Sequence, residues 1–203
     1  MATRGRPRRF DRTEALRQAM NLFWRQGYES TSISELAAAM GINSPSLYAA
    51  FGSKEDLFRE AVAYYDRTEG DATATALRAS TARAAMEALL RNNLVAYTDP
   101  DKPRGCMIVL AATLGKTQNE EIRRYVSEYR RNTIALIRER LARGVAEGDV
   151  PADADLDTLS AFFATVLHGL SIQAVDGASR EELHRVADAA MAAWDGLVQR
   201  RTP

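Results

Sequence analysis

The stretch TSISELAAAMGINSPSLYAAFGSK, residues 31–54, decides the fold of this chain. Ser32 is followed three positions later by Glu35, the spacing of a capping box at the start of a helix, and Gly41 is placed to end that helix. Pro45 suits the first turn of a second, shorter helix. Two capped helices joined by a tight turn, with a short and polar second helix, are typical of a helix-turn-helix that reads DNA.

The predicted helix-turn-helix, about residues 33–52, carries side chains that suit DNA. The small residues of its second helix let the backbone approach the major groove, where Pro45 can contact a thymine methyl group and the Tyr48 hydroxyl can reach a phosphate. Backbone N–H groups at helix starts also favour phosphate. The residues that we expect to contact DNA in this region are Thr31, Ser32, Ser44, Pro45, Ser46, Tyr48 and Lys54.

A basic arm precedes these helices. The chain carries 27 Lys and Arg against 27 Asp and Glu, so its affinity for nucleic acid has to come from a local patch. Arg4, Arg6, Arg8 and Arg9 crowd residues 1–9, where a glycine and a proline disfavour a helix. We predict that Arg4, Arg6 and Arg8 of this flexible arm contact DNA. The alternative is a solvated terminus without a partner.

Two further amphipathic patterns flank the helix-turn-helix and complete a first domain. Asp11 is the predicted cap of the first helix, Glu14 its capping-box partner, and Gly27 the residue that ends the helix. Ser53 begins a fourth helix in the same way. The predicted DNA-binding domain spans residues 10–68.

The remainder of the chain, residues 69–203, has helical periodicity and no convincing period-two stretch. We expect five longer helices there, at about residues 72–97, 104–115, 118–146, 155–175 and 180–200. The predicted fold class is therefore all-α, with about nine helices in total.

The cysteine content and the hydropathy of the chain indicate the cellular compartment in which the protein is found. Cys106 is the single cysteine, which excludes an intrachain disulfide and favours a reducing environment. We find no apolar run close to the roughly 20 residues that a membrane span needs, and no hydrophobic segment for secretion at the N-terminus. We therefore expect a cytoplasmic protein without a membrane partner.

Residues 10–60 resemble the N-terminal domain of the tetracycline-repressor (TetR/AcrR) family. The resemblance rests on Ala19, Phe23, Gly27 and Tyr28, on the runs TSISELA and GI that begin at Thr31 and Gly41, and on SLYAAFGSKEDL at residues 46–57. In the family, the residues at the places of Tyr48 and Lys54 meet the DNA backbone. Ala50 departs from the pattern, because many members carry His or Tyr there.

The resemblance implies a transcriptional regulator, a repressor that a small molecule, an oxidant or an electrophile releases from a palindromic operator in double-stranded DNA. The rest of the chain is then a ligand-binding and dimerisation domain, joined to the DNA-binding domain through the fourth helix. A DNA-binding regulator without a small-molecule ligand is one alternative. A Cys-dependent enzyme is another, but no His or acid is spaced to assist Cys106 and no Gly-rich phosphate loop is present.

The last two predicted helices are the expected homodimer interface. The resemblance implies that they form a four-helix bundle across a two-fold axis, and they carry more apolar surface than one small domain readily buries. Packing within a single chain accounts for some of these positions instead. The predicted interface residues are Phe162, Val166, Leu170, Val186, Met191 and Trp194.

Cys106 lies at the predicted start of a helix, where a helix dipole and Arg104 can lower the pKa of a thiol and make it reactive, which is one of two interpretations of this residue. A subset of the family with a similar Gly-Cys start includes sensors of electrophiles and oxidants. The alternative is a small buried core residue.

His168 is interpreted as a pocket-wall residue, and neither a metal site nor a cofactor is predicted. The candidate ligand or sensing residues are Tyr97, Cys106, Met107, Leu110, Tyr125, Tyr129, Phe163 and His168.

Overall fold

The computed structural model describes residues 11–111 and 120–199, and within these ranges the chain forms eleven α-helices and no strand. The helices are α1 (Arg12–Ser30), α2 (Ile33–Met40), α3 (Ser44–Phe51), α4 (Lys54–Glu69), α5 (Asp71–Ala76), α6 (Ala82–Tyr97), α7 (Met107–Leu110), α8 (Glu120–Glu147), α9 (Leu156–Val175), α10 (Arg180–Ala192) and α11 (Trp194–Val198). The all-α fold class is confirmed.

The helix starts follow the predicted capping pattern, with one difference. The Ser32 hydroxyl accepts a hydrogen bond from the Glu35 N–H at 3.2 Å, and the Glu35 carboxylate accepts one from the Ser32 N–H at 2.8 Å. Ser53 and its partner three residues on form the same pair at the start of α4. At α1 the Asp11 carboxylate caps the helix, but Glu14 binds Arg17 and a neighbouring glutamine instead of completing a capping box.

Several predicted helix ends differ from the observed ones. Gly27 ends the first helical segment as predicted, with a non-helical φ of 77°, but a second short segment follows directly, so that α1 continues across a kink as far as Ser30. A turn at residues 77–81 divides the long helix predicted at 72–97 into α5 and α6, and Ala193 separates α10 from α11. These two breaks raise the count from about nine to eleven.

The buried residues form two cores. The first lies around Phe23, Leu47 and Phe58 of the DNA-binding helices, and it extends to Met107 of α7 and Val126 of α8. The second joins α6, α8, α9, α10 and α11. Because the first core includes residues from beyond α4, α7 and α8 pack directly onto the helices that carry the helix-turn-helix.

The expectation about apolar runs needs a correction. Helix α9, Leu156–Val175, is long and apolar enough to span a membrane by length and composition. The same properties suit the core helix of a globular protein, and Leu159, Phe163 and Leu170 of α9 are buried in the second core.

Candidate DNA-binding surface and ligand cavity

Helix α3 is held from beneath and from both ends. Leu47 and Phe51 are buried in the first core. The Asn43 carboxamide oxygen accepts a hydrogen bond from the Ser46 N–H at 2.9 Å and so caps the start of the helix, a role that the sequence analysis missed. These contacts fix the face that α3 turns to solvent.

Arg12 fixes the other end of α3 and was also missed. Its guanidinium lies 4.5 Å from the centroid of the Phe51 ring, donates to the Ala50 carbonyl at 3.3 Å and pairs with Glu60 at 2.7 Å. One side chain therefore ties the start of α1 to the end of α3 and to α4. No local pattern reveals this contact, because Arg12 and Ala50 are 38 residues apart.

Most of the predicted DNA-contact residues in the described part of the chain are exposed or partly exposed. Ser32, Pro45 and Ser46 are exposed, Ser44 is partly exposed, and 51% of Tyr48 is accessible. Small side chains surround Tyr48, so the α3 backbone is open to close approach.

Two other predicted contacts have different surroundings. Thr31 is fully buried, and its hydroxyl donates to the Gly27 carbonyl at 2.7 Å, so this side chain stabilises the α1–α2 turn. The Lys54 ammonium lies 4.4 Å from the centroid of the Tyr28 ring, and burial lowers the pKa of Lys54. Arg4, Arg6 and Arg8 lie outside the described residues.

A cavity of about 360 Å³ lies between the two cores. Four of the predicted ligand or sensing residues line it, namely Tyr97, Cys106, Tyr129 and His168. Met107 and Phe163 are buried in the cores instead. Leu110 and Tyr125 are also absent from the wall. The Tyr125 hydroxyl lies 3.3 Å from the hydroxyl of Tyr129, which does line the cavity.

The surroundings of Cys106 favour the alternative of a small buried residue over an activated thiol. The Arg104 guanidinium donates to the Ala178 carbonyl at 2.7 Å, and burial raises the pKa of the Cys106 thiol. A hydrogen bond from the Tyr65 hydroxyl opposes that rise without overcoming it. The thiol lines the cavity, but at neutral pH it is protonated.

Short-range contacts connect Cys106 to helices of both cores. The Tyr65 hydroxyl on α4 hydrogen-bonds the thiol, and the Cys106 N–H donates to the Ser171 hydroxyl of α9 at 2.8 Å. Gly105 has a positive φ of 75°, and a Cβ atom there would lie 2.8 Å from the Ser171 carbonyl oxygen. Glycine at position 105 is therefore required by the close approach of this loop to α9.

The predicted interface residues divide into two groups. Leu170, Met191 and Trp194 are buried within the chain's own second core. Phe162 and Val166 are half-buried, and 46% of Val186 is exposed. Ile172 and Val175 of α9 add exposed apolar surface that the prediction did not include.

Within residues 11–111 and 120–199, no group of three or more His, Cys, Asp or Glu side chains is arranged to hold a metal ion. A capped helix-turn-helix that shares its core with a second helical domain defines a class of DNA-binding regulators. The family model of bacterial regulatory proteins of the tetR family matches residues 15–61, and that of the tetracyclin repressor-like C-terminal domain matches residues 82–190. The chain belongs to the TetR family of transcriptional regulators.

Known relatives cover almost the whole chain. The HTH-type transcriptional repressor ComR of Escherichia coli (strain K12) is 33% identical over 202 residues, which are 97% of this chain and 95% of ComR. The repressor BdcR of the same strain is 34% identical, over 93% of this chain and 90% of BdcR. These relatives are regulators, so the alternative of a Cys-dependent enzyme is excluded.

A solved structure agrees in fold and in sequence. A cysteine mutant of the TetR-family regulator CifR, complexed with 26-bp double-strand operator DNA, is 48% identical to this chain with a TM-score of 0.89. The match covers 93% of this chain and 100% of the CifR chain.

Proposed function

We propose that this protein is a homodimeric, cytoplasmic transcriptional repressor that binds a palindromic operator through α3 of each copy. A signal received in the cavity releases it from the DNA. The names of ComR and BdcR, both repressors, support repression, and the CifR complex supports operator DNA as the partner. The expected DNA contacts are those of the exposed face, with Pro45, Ser46 and Tyr48 at its centre.

One observation carries the mechanism: Tyr65 of α4 lines the cavity and hydrogen-bonds Cys106 there. The same helix starts three residues after the end of α3 and packs extensively on α1. A ligand that displaces Tyr65 therefore moves the helix that supports the DNA-reading surface. In a dimer this motion changes the separation of the two α3 helices, about 34 Å when both read successive major grooves. The ligand has to favour the released state by differential affinity.

The dimer would form on the exposed apolar face of α9 and α10. Three of the predicted interface residues have accessible surface, namely Phe162, Val166 and Val186. Two further apolar residues of α9 are also exposed, Ile172 and Val175. A two-fold dimer also supplies the paired recognition helices that a palindromic operator requires.

Covalent modification of Cys106 is a second candidate signal. The thiol lines the cavity and accepts the Tyr65 hydrogen bond, so an added group would disturb the same contact that a ligand displaces. The raised pKa of the thiol makes this route slow at neutral pH, because the thiolate is the reactive form. A reversible ligand is therefore the favoured signal.

The test of the proposed function is a fluorescence anisotropy titration on DNA from immediately upstream of the protein's own gene, with a shuffled sequence as the control. We expect the upstream DNA to bind about a thousandfold more tightly than the shuffled DNA. Equal affinity for the two would contradict a sequence-specific regulator. The titration is then repeated with wild type and Cys106→Ser after treatment with peroxide. If only wild type loses its DNA binding, the signal is oxidation of the thiol. If both proteins still bind, the signal is a reversible ligand.

A further inference from the structure

We propose that the ligand of this cavity is a small organic acid whose carboxylate binds the Arg130 guanidinium and the Trp24 indole N–H. Its apolar part packs against the aliphatic wall of the same cavity. This inference rests on the proposed function and adds the chemical class of the effector.

Arg130 of α8 provides a half-buried positive charge on the cavity wall. One of its terminal nitrogens donates to the Ile108 carbonyl at 3.0 Å, and no ion pair joins it to a carboxylate in the described ranges. The undescribed stretch 112–119 contains no Asp or Glu. Burial lowers the pKa of Arg130, the expected result for a cation without a counter-charge, although arginine stays protonated at neutral pH. An anion in the cavity would supply the missing charge.

Trp24 of α1 provides a second donor in the same cavity. The residue is only 6% exposed, and its indole Nε1 is buried without a hydrogen-bond partner in the described structure. An indole N–H can only donate, so the group that satisfies it has to present an acceptor oxygen or nitrogen. A carboxylate has two acceptor oxygens, so it offers one oxygen to the indole N–H and one to a guanidinium.

The other charged groups of the cavity include three carboxylates. Asp71 is exposed, and Glu69 is paired with Lys102 at 2.7 Å. Burial raises the pKa of the Asp66 carboxyl, which is also close enough to Cys106 to raise the pKa of its thiol. Deeper in the wall, burial and then the nearby Arg130 charge lower the pKa of His168, so its imidazole is neutral at pH 7. A cationic ligand would therefore meet repulsion from Arg130 in the interior.

The rest of the wall sets the size and apolar character of the ligand. Ile108, Val109 and Leu167 are buried and line the cavity, and Leu136 adds exposed apolar surface near its opening. A cavity of about 360 Å³ is at the small end of ligand sites. A short aliphatic or single-ring carboxylate matches both the volume and this lining.

The test is calorimetric titration of the purified full-length protein with benzoate, phenylacetate and hexanoate, each compared with its neutral amide. We expect at least one acid to bind about tenfold more tightly than its amide, because only the acid pairs with Arg130. Arg130→Gln should remove that preference. Arg131→Gln, an exposed arginine next to it on α8, should keep it. Trp24→Phe keeps the aromatic ring and loses the N–H, so it should weaken acid binding while retaining the preference for acid over amide.

Thermal melting of each variant, measured alongside, separates a lost contact from a lost fold. The inference is overturned if no acid binds more tightly than its amide, or if the preference survives in folded Arg130→Gln. The operator titration is run in parallel with the same samples. Specific DNA binding without an acid preference contradicts this inference alone, whereas failure of specific DNA binding contradicts the proposed function and leaves the calorimetric result to stand by itself.

Discussion

Leu47 and Tyr48 are neighbours on α3 with opposite surroundings, since Leu47 is fully buried and Tyr48 is half exposed. Leu47 holds the helix on the first core, while Tyr48 is available to DNA. Helical periodicity alone predicts this division. The Arg12 contact with Ala50 could not be predicted in the same way, because it depends on how α1 and α3 meet in space.

Replacing Tyr48 with phenylalanine tests the hydroxyl as a phosphate contact. We expect Tyr48→Phe to bind operator DNA roughly five- to tenfold more weakly, since each copy loses one hydrogen bond to DNA. The melting temperature should not change, because the hydroxyl lies on an exposed surface. Anisotropy titration measures the affinity. Unchanged affinity would remove Tyr48 from the set of phosphate contacts.

The pKa of the Cys106 thiol depends on surroundings that the sequence does not reveal. Its position before a helix suggested a lowered thiol pKa, but α7 is only four residues long and the loop is buried against α9. Desolvation then outweighs the hydrogen bonds that the thiol receives from Tyr65 and from the Val109 and Ile108 backbone.

The raised thiol pKa predicts how alkylation of Cys106 depends on pH. Iodoacetamide reacts with the thiolate, so the rate should rise with pH and reach half its maximum above the pH found for the same cysteine in unfolded protein. Mass spectrometry of folded and urea-unfolded samples measures the two curves. A midpoint for the folded protein below that of the unfolded protein would mean an activated thiol.

Helix α4 is the element that links DNA reading to the cavity. Its start is fixed by Ser53 and Asp56, and Tyr65 near its end lines the cavity. The capping box and the apolar face of α4 could be read from the sequence. The link to Cys106 could not, because it joins elements that are about 40 residues apart in the chain.

Removing the cap of α4 should lower the stability of the protein. Ser53→Ala loses the hydroxyl that accepts from the Asp56 N–H, which costs about 1 kcal/mol and lowers the melting temperature by about 2–4 °C. Ser53→Thr keeps a capping oxygen and serves as the matched control. Scanning calorimetry compares them, and equal melting of both variants with wild type would mean that the cap contributes nothing.

At the scale of the whole molecule, the two cores and the cavity between them were only partly predictable. Apolar stripes predicted which helix faces are buried. They did not predict that α7 and part of α8 join the DNA-binding core, or that Met107 and Phe163 lie in the cores and not on the cavity wall. An apolar stripe predicts that one face of a helix is buried. Which other helix packs against that face depends on the arrangement of all the helices.

The proposed dimer face can be tested with two valines of nearly equal exposure. Val186 of α10 is 46% exposed and Val95 of α6 is 44% exposed. A charge at an apolar interface stays unpaired, so Val186→Glu should convert the dimer to monomer and weaken operator binding. Val95→Glu should remain dimeric. Sedimentation velocity distinguishes them, and a Val186→Glu protein that is still dimeric would place the interface elsewhere.

The most direct test of a dimer that reads DNA with two α3 helices is a hydroxyl-radical footprint on the upstream DNA. We predict two symmetric protected half-sites on one face of the duplex, with centres about 10 bp apart, and the loss of both in Val186→Glu. A single protected half-site, or protection without two-fold symmetry, would contradict binding of the operator by paired α3 helices.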